Sequence, residues 1–195
     1  MGKHRNVPKA VKSFLMTNSP DFKALTDYIH GLGLKFGIYS SPGATTCGGH
    51  VGSYQHEEID ARTWERWGVD YLKYDYCGYL DIEKDSKEET IQEPYIVMRN
   101  ALDKVKRDIV FCVGYGAPNV WNWAAEAGGN QWRTTRDITD EWNVVTAIGT
   151  FQDVCADATA PGRNNDPDML VVGKLGQGWG SKVHDSYLTA DEQYS

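Results

Sequence analysis

Long apolar runs are missing from this 195-residue sequence. The longest, such as Ile109–Val113, fall far short of the roughly 20 residues that a membrane-spanning helix needs. Basic charge is also scarce. Lys and Arg number 20 against 27 Asp and Glu, a formal net charge of −7, which is the opposite of a nucleic-acid or anionic-membrane footprint. Neither nucleic acid nor a membrane is therefore an expected partner. Cysteine is sparse and widely spaced: Cys47, Cys77, Cys112 and Cys155 form no C-x-x-C pair of the zinc or redox kind. Cys47 and Cys77 each follow an expected strand and can meet in space, whereas Cys112 lies within an apolar run and reads as a buried thiol. His30, His50, His56 and His184 lack metal-ligand spacing, and no phosphate-cradling glycine loop occurs. Nothing in the sequence supports a metal or nucleotide cofactor. Met1–Lys12 is basic and polar with no apolar stretch behind it, which is not the pattern of a secretory signal.

What is present suits one globular domain with a sizeable core: 41% of residues are hydrophobic, and no linker or composition break divides the chain. Seven Trp and eleven Tyr are many for an acidic chain, and sugar-binding surfaces are one place where such residues collect. Helix and strand patterns alternate. Ser19-Pro20-Asp21 reads as an N-cap followed by proline at the first helical position, and Phe22, Leu25, Tyr28, Ile29 and Leu32 recur at helical spacing before Gly31 and Gly33 stop the helix. A strand over Leu34–Ser40 leads into a loop over Ser41–Tyr54. A helix over His56–Trp67 follows, with Gly68 as its C-cap, then a strand over Val69–Tyr76. Residues 81–90 read as a loop or helix start, and Tyr95, Met98, Leu102 and Val105 mark an amphipathic helix. Next come a strand over Asp108–Gly114, a short helix over Asn119–Ala127, strand and loop over Gln131–Ile138, a helix over Glu141–Phe151 and a strand over Met169–Val172. Thr189-Ala190-Asp191-Glu192 has the form of a capping box and announces another helix. No hairpin turn interrupts the series, so the expected fold is α/β with parallel strands.

In such folds chemistry gathers where strands end. Alternation along Tyr71–Cys77 puts Tyr71, Lys73 and Asp75 on one face, opposite Leu72 and Tyr74. Lys73 beside Asp75 would favour an ionised, nucleophilic carboxylate, and the same residues also suit a structural ion pair at a strand terminus. Asp137 offers a second carboxylate, four residues beyond Arg133, which can donate to a substrate hydroxyl or hold a carboxylate. Two carboxylates in one site match the logic of glycosidases, while a solvated Arg-Thr-Thr-Arg-Asp loop is the plainer alternative. Asp166 and Asp168 flank Pro167 and read as scaffold for the site, either as a tight turn or as ion-pair partners of an arginine such as Arg133.

Four segments then resemble one family. Gly33–Tyr39, Tyr71–Asp75, Trp132–Ile138 and Asn165–Leu170, in this order, resemble the α-galactosidases (melibiases) of glycoside hydrolase family 27, over roughly residues 20–195. The resemblance implies a (β/α)8 TIM barrel followed by a β-sandwich domain. It aligns the chain with about strands three to seven, leaving the N-terminal strands, the eighth strand and the sandwich absent. It implies retaining hydrolysis of terminal α-linked galactose on an oligo- or polysaccharide, with Asp75 as nucleophile and Asp137 as general acid/base. Lys73 and Arg133 would hold sugar hydroxyls, and Tyr39 would line the pocket. Cys47 and Cys77 match a pair that forms a disulfide beside the nucleophile loop, which implies a secreted or periplasmic enzyme. The sequence departs from the family at Asn164, where a Trp is common, and at Val113-Gly114-Tyr115, where relatives read the sugar's 2-position. An α-N-acetylgalactosaminidase, a β-L-arabinopyranosidase, an isomalto-dextranase or a non-catalytic carbohydrate-binding fragment are the alternatives. An open piece of barrel with two free edges is expected to be unstable alone and weakly active or inactive.

Overall fold

The computed structural model describes residues 21–84 and 87–169. Among the described residues five strands and four α-helices follow one another, alternating except between β3 and β4: α1 (Phe22–Gly31), β1 (Gly37–Ser40), α2 (Glu57–Trp67), β2 (Tyr71–Tyr74), α3 (Glu88–Leu102), β3 (Val110–Val113), β4 (Gln131–Arg133), α4 (Trp142–Phe151) and β5 (Asn164–Asp166). The strands form one sheet in the order β1-β2-β3-β4-β5, and every pair is parallel. Chain neighbours are sheet neighbours throughout, with no point where the order reverses. That is the order of a barrel wall and not of a doubly wound sheet.

The outer face of the sheet is the core. Leu72, Tyr74, Phe111 and Trp132 are buried there with Ala61 and Trp64 of α2 and Tyr95 and Met98 of α3. The Tyr95 ring centroid lies 6.0 Å from that of Tyr74 and 5.9 Å from that of Trp123, so one side chain ties β2, α3 and the loop after β3. Such ring pairs contribute about 0.5–1.5 kcal/mol each beyond the area they bury. Helix α2 forms as its sequence dictates. Glu57, Glu58 and Asp60 occupy the first turn, Arg66 the last, and Gly68 closes it at φ +83°, a left-handed position that favours glycine.

Several boundaries differ from the sequence pattern. Asp21 itself caps α1, accepting from the N–H groups of Lys23 (3.0 Å) and Ala24 (3.2 Å); Ser19 and Pro20 lie outside the described residues. Helix α3 starts at Glu88, carries Pro94 inside it and ends before Val105, where Lys104 and Val105 donate to carbonyls three residues back. Only Val120–Asn122 of the expected helix over Asn119–Ala127 is regular, as a single 3-10 turn. The fifth strand is Asn164–Asp166. Met169 lies in no strand, and residues 170–172 and the Thr189 capping box fall outside the described residues. Asn and Asp are poor strand formers, but partners override that here. The Trp132 indole donates to Asn165 Oδ1 (2.7 Å), Asn165 Nδ2 to the Cys155 carbonyl (2.8 Å), and the Thr134 N–H to the Asp166 carbonyl (3.0 Å).

At the N-terminal ends of the strands, Asp70 staples four segments. Its carboxylate accepts from the Phe36 N–H (2.9 Å) and Arg107 Nη2 (2.6 Å), and meets His30 Nε2 at 2.6 Å and Lys35 Nζ at 3.4 Å. Burial alone would raise its pKa, but the Phe36 N–H, His30 and Arg107 outweigh that and hold it far below the usual carboxylate range. A folded-state pKa depressed in this way gives stability that is present above the unfolded value of about 3.9 and is lost as pH falls toward the folded one. Asp70→Asn is therefore expected to cost about 2–4 kcal/mol at neutral pH. Chemical denaturation at a series of pH values should show the gap between wild type and variant narrowing steadily in acid. A gap independent of pH would contradict the role of the charge.

Candidate active site

The C-terminal ends of the strands carry the polar residues. Leu72 and Tyr74 are fully buried, so period-two alternation turns Tyr71, Lys73 and Asp75 to the opposite, inner face. Asp75 lies one residue beyond β2 and is fixed at every polar group. Its N–H donates to the Ser40 carbonyl (2.9 Å), continuing the β1–β2 ladder, and its carbonyl accepts from the buried Tyr95 hydroxyl (3.3 Å). Its Oδ1 accepts from the Tyr76 N–H (2.8 Å) and its Oδ2 from the Tyr39 hydroxyl (2.6 Å).

Asp137 stands exposed in the loop after β4, where Arg133 Nη2 meets its Oδ1 at 2.6 Å. Arg133 is buried, and its Nε donates to the Thr135 carbonyl at 3.0 Å, so this loop is folded around the guanidinium. Asp168 anchors the loop from below. Its buried carboxylate accepts from the Ile138 N–H (2.8 Å) and lies 3.8 Å from both Lys73 Nζ and Arg133 Nη1. Its own N–H donates to Asp166 Oδ1 (2.8 Å), at a left-handed φ of +76° that Asp tolerates better than most residues. The ion pair that Lys73 makes thus runs to Asp168, where the sequence pattern had suggested Asp75. Arg133 holds carboxylates, one of its two expected roles.

Tyr39 feels both acids. Burial raises its pKa first, then the hydrogen bond to Asp75 and the charges of Asp75 and Asp137; a Cys47 backbone hydrogen bond pulls the other way. Asp168, 3.8 Å from both Lys73 Nζ and Arg133 Nη1, links the strand that leads to Asp75 with the loop that carries Asp137.

The Cys47–Cys77 disulfide lies against Tyr39 and Asp75. Its Cα atoms are 5.2 Å apart, within the usual range for a disulfide. The Tyr39 hydroxyl lies 3.6 Å from Cys77 Sγ, and Cys47 Sγ 4.0 Å from Asp75 Oδ2. The Ser41–Tyr54 loop reaches this position through Gly43, where a Cβ would sit 2.3 Å from the Cys77 carbonyl oxygen. Among the described residues Cys47, Asp75 and Cys77 are the cluster with donor atoms close enough for a metal, but the joined sulfurs offer no thiolate. Cys112 is a free, buried thiol that burial pushes up to about 12, with Sγ 3.8 Å from Asp166 Oδ2. Sequence reasoning missed Ser40 and Tyr95, which hold the Asp75 backbone, because a backbone contact leaves no side-chain signature.

Comparison with known proteins agrees on one relationship. A family model described as Alpha galactosidase A (Melibiase_2) matches residues 11–190. The alpha-galactosidase of Cyamopsis tetragonoloba is 46% identical over 158 residues, covering 79% of this chain and 36% of that protein. The crystal structure of alpha-galactosidase I from Mortierella vinacea is similar at a TM-score of 0.72 and 36% identity, over 78% of this chain and 43% of that one. A β-L-arabinopyranosidase of glycoside hydrolase family 27 from Geobacillus stearothermophilus is similar at a TM-score of 0.68 and 25% identity, over 92% of this chain and 49% of that one. The chain spans about a third of the length of the curated relatives it matches first. Its five parallel strands are thus five adjacent strands of a TIM barrel, and the chain belongs to the alpha galactosidase A family.

Proposed function

We propose that Asp75 and Asp137 are the carboxylate pair of a retaining glycosidase that removes terminal α-linked galactose from oligo- or polysaccharides. The observation that carries this is Asp168, which lies 3.8 Å from both Lys73, two residues before Asp75, and Arg133, which holds Asp137 at 2.6 Å. The names of the relatives supply the sugar. Asp75 attacks the anomeric carbon as the glycosidic bond breaks, and Asp137 gives its proton to the departing oxygen. Asp137, now ionised, takes a proton from water, which attacks the anomeric carbon and releases Asp75. The chain's own geometry serves both steps. The Tyr76 N–H and the Tyr39 hydroxyl orient the Asp75 oxygens and stabilise the carboxylate when it leaves. Arg133 keeps Asp137 in the site between steps. Among the described residues the ion pair of Lys73 is the long contact to Asp168, which leaves donors for sugar hydroxyls. The Cys47–Cys77 disulfide supports export to an oxidising compartment.

In the full-length protein, Asp75→Asn is expected to lower turnover of an α-galactoside by roughly 10³-fold or more. Near-normal turnover would remove Asp75 from the nucleophile role. Asp137→Ala should lose roughly 10²–10⁴-fold on natural substrates, whose leaving groups need a proton, and far less on p-nitrophenyl α-galactoside. Equal losses on both would contradict the acid role. A panel of p-nitrophenyl glycosides tests the sugar: α-galactoside should be turned over fastest, and a β-L-arabinopyranoside or α-N-acetylgalactosaminide turned over faster would overturn the choice of galactose.

A further inference from the structure

Asp166 ends β5 and stands beside Arg133 in register, yet among the described residues the ion pairs of Arg133 run to Asp137 and Asp168. The side chain of Asp166 is engaged elsewhere. Its Oδ1 accepts the Asp168 N–H at 2.8 Å, and its Oδ2 lies 3.8 Å from Sγ of the fully buried Cys112 on β3. Burial pushes that thiol up to about 12, so at neutral pH it keeps its proton and can donate it. The Asp166 main chain is held separately: its carbonyl accepts from the Thr134 N–H (3.0 Å) and the Thr134 hydroxyl (3.2 Å). Those bonds keep β5 on β4 whatever side chain stands at 166.

Asp168 depends on the Oδ1 bond. Its φ of +76° is a left-handed conformation in which an L side chain crowds its own backbone, and Pro167 before it has no N–H with which to tie the turn. The bond from Asp166 Oδ1 to the N–H two residues on closes an Asx turn across Pro167 and fixes the conformation of Asp168. The effect reaches one step further. The Asp168 carboxylate accepts the Ile138 N–H at 2.8 Å, and that nitrogen is joined by the peptide bond to the carbonyl carbon of Asp137. Two short hydrogen bonds therefore connect Asp166 to the backbone of the proposed acid/base residue. The same Asp168 carboxylate lies 3.8 Å from the Arg133 guanidinium, which meets the Asp137 carboxylate at 2.6 Å. Main chain and side chain of Asp137 are both held from Asp168.

We propose that Asp166 is a positioning residue for Asp137: its Oδ1 fixes Asp168, and Asp168 holds the loop that carries the acid/base carboxylate. The inference rests on reading Asp137 as the acid/base residue, and one arm of its test is readable without turnover. In 15N-labelled full-length protein the Ile138 amide is expected to exchange with deuterium roughly 10–100-fold faster in Asp166→Ala than in the wild type, while the amide of the buried Leu72 keeps its rate. Asp166→Asn retains an acceptor at Oδ1 and should exchange as the wild type does. Asp166→Glu keeps the charge but carries its oxygens one methylene too far, and should behave as Asp166→Ala. In the same proteins kcat/KM on an unactivated α-galactosyl oligosaccharide should fall roughly 10–100-fold in Asp166→Ala and Asp166→Glu, against less than about 3-fold on p-nitrophenyl α-galactoside. Only the first substrate needs a well-placed proton donor, so a purely structural role would lower both together. Asp166→Asn should stay near the wild type on both. Equal losses on the two substrates, an Ile138 rate unchanged in both Asp166→Ala and Asp166→Glu, or an Asp166→Asn as impaired as Asp166→Ala overturns the proposal. A wild-type protein that turns over no glycoside contradicts the catalytic reading, and the Ile138 exchange rates then decide alone whether Asp166 holds the Asp137 loop.

Discussion

The site depends on the register of β2. Because side chains alternate along a strand, the pairing Tyr39↔Lys73 and Ser40↔Tyr74 decides that Lys73 and Asp75 face inward and that Leu72 and Tyr74 face the helices. A slip of one residue would put Asp75 among Trp64, Tyr95 and Phe111 and send Leu72 and Tyr74 to the polar side. The fully buried Leu72 and Tyr74 prevent this, and so do the two backbone bonds of Asp75, to the Ser40 carbonyl and from the Tyr95 hydroxyl. Core packing and the placement of the carboxylate are one constraint seen from two faces of the sheet.

Charge is distributed along the strands to match. At their N-terminal ends Asp70 gathers His30, Lys35 and Arg107 and ties together segments that carry no chemistry. At their C-terminal ends Asp168 draws Lys73 and Arg133 inward and holds the Ile138 N–H, so the loop carrying Asp137 is built on a buried, compensated charge. Asp137 itself remains exposed, and Asp75 is held by two donors, which suits a proton carrier and a fixed nucleophile respectively. Parallel-strand barrels divide their ends in this way, with stability at one face and function at the other.

Much of this was legible in the residues. Strands over 37–40, 71–74, 110–113 and 131–133 each fall within the segments expected to hold a strand, and Gly68 ends α2 as its position suggests. Cys47 and Cys77 meet, as two cysteines that each follow a strand can. The fifth strand was not legible, because Asn164–Asp166 has turn-like composition and becomes a strand only through Trp132, Cys155 and Thr134. The partner of Lys73 was hidden for a similar reason. Strand alternation fixes the face on which a side chain lies but not which of several acids on that face it meets, and Asp168 arrives from just beyond β5, three places away in the sheet.

The central claim is that Asp75 forms the bond to the sugar. A fluorinated α-galactoside with a good leaving group, which slows hydrolysis of the glycosyl-enzyme, tests it directly. Incubated with the full-length protein and followed by intact and peptide mass spectrometry, it should add one sugar residue per chain, on the peptide that contains Asp75. A label on another carboxylate, or stoichiometric turnover with no covalent adduct at all, would contradict the account.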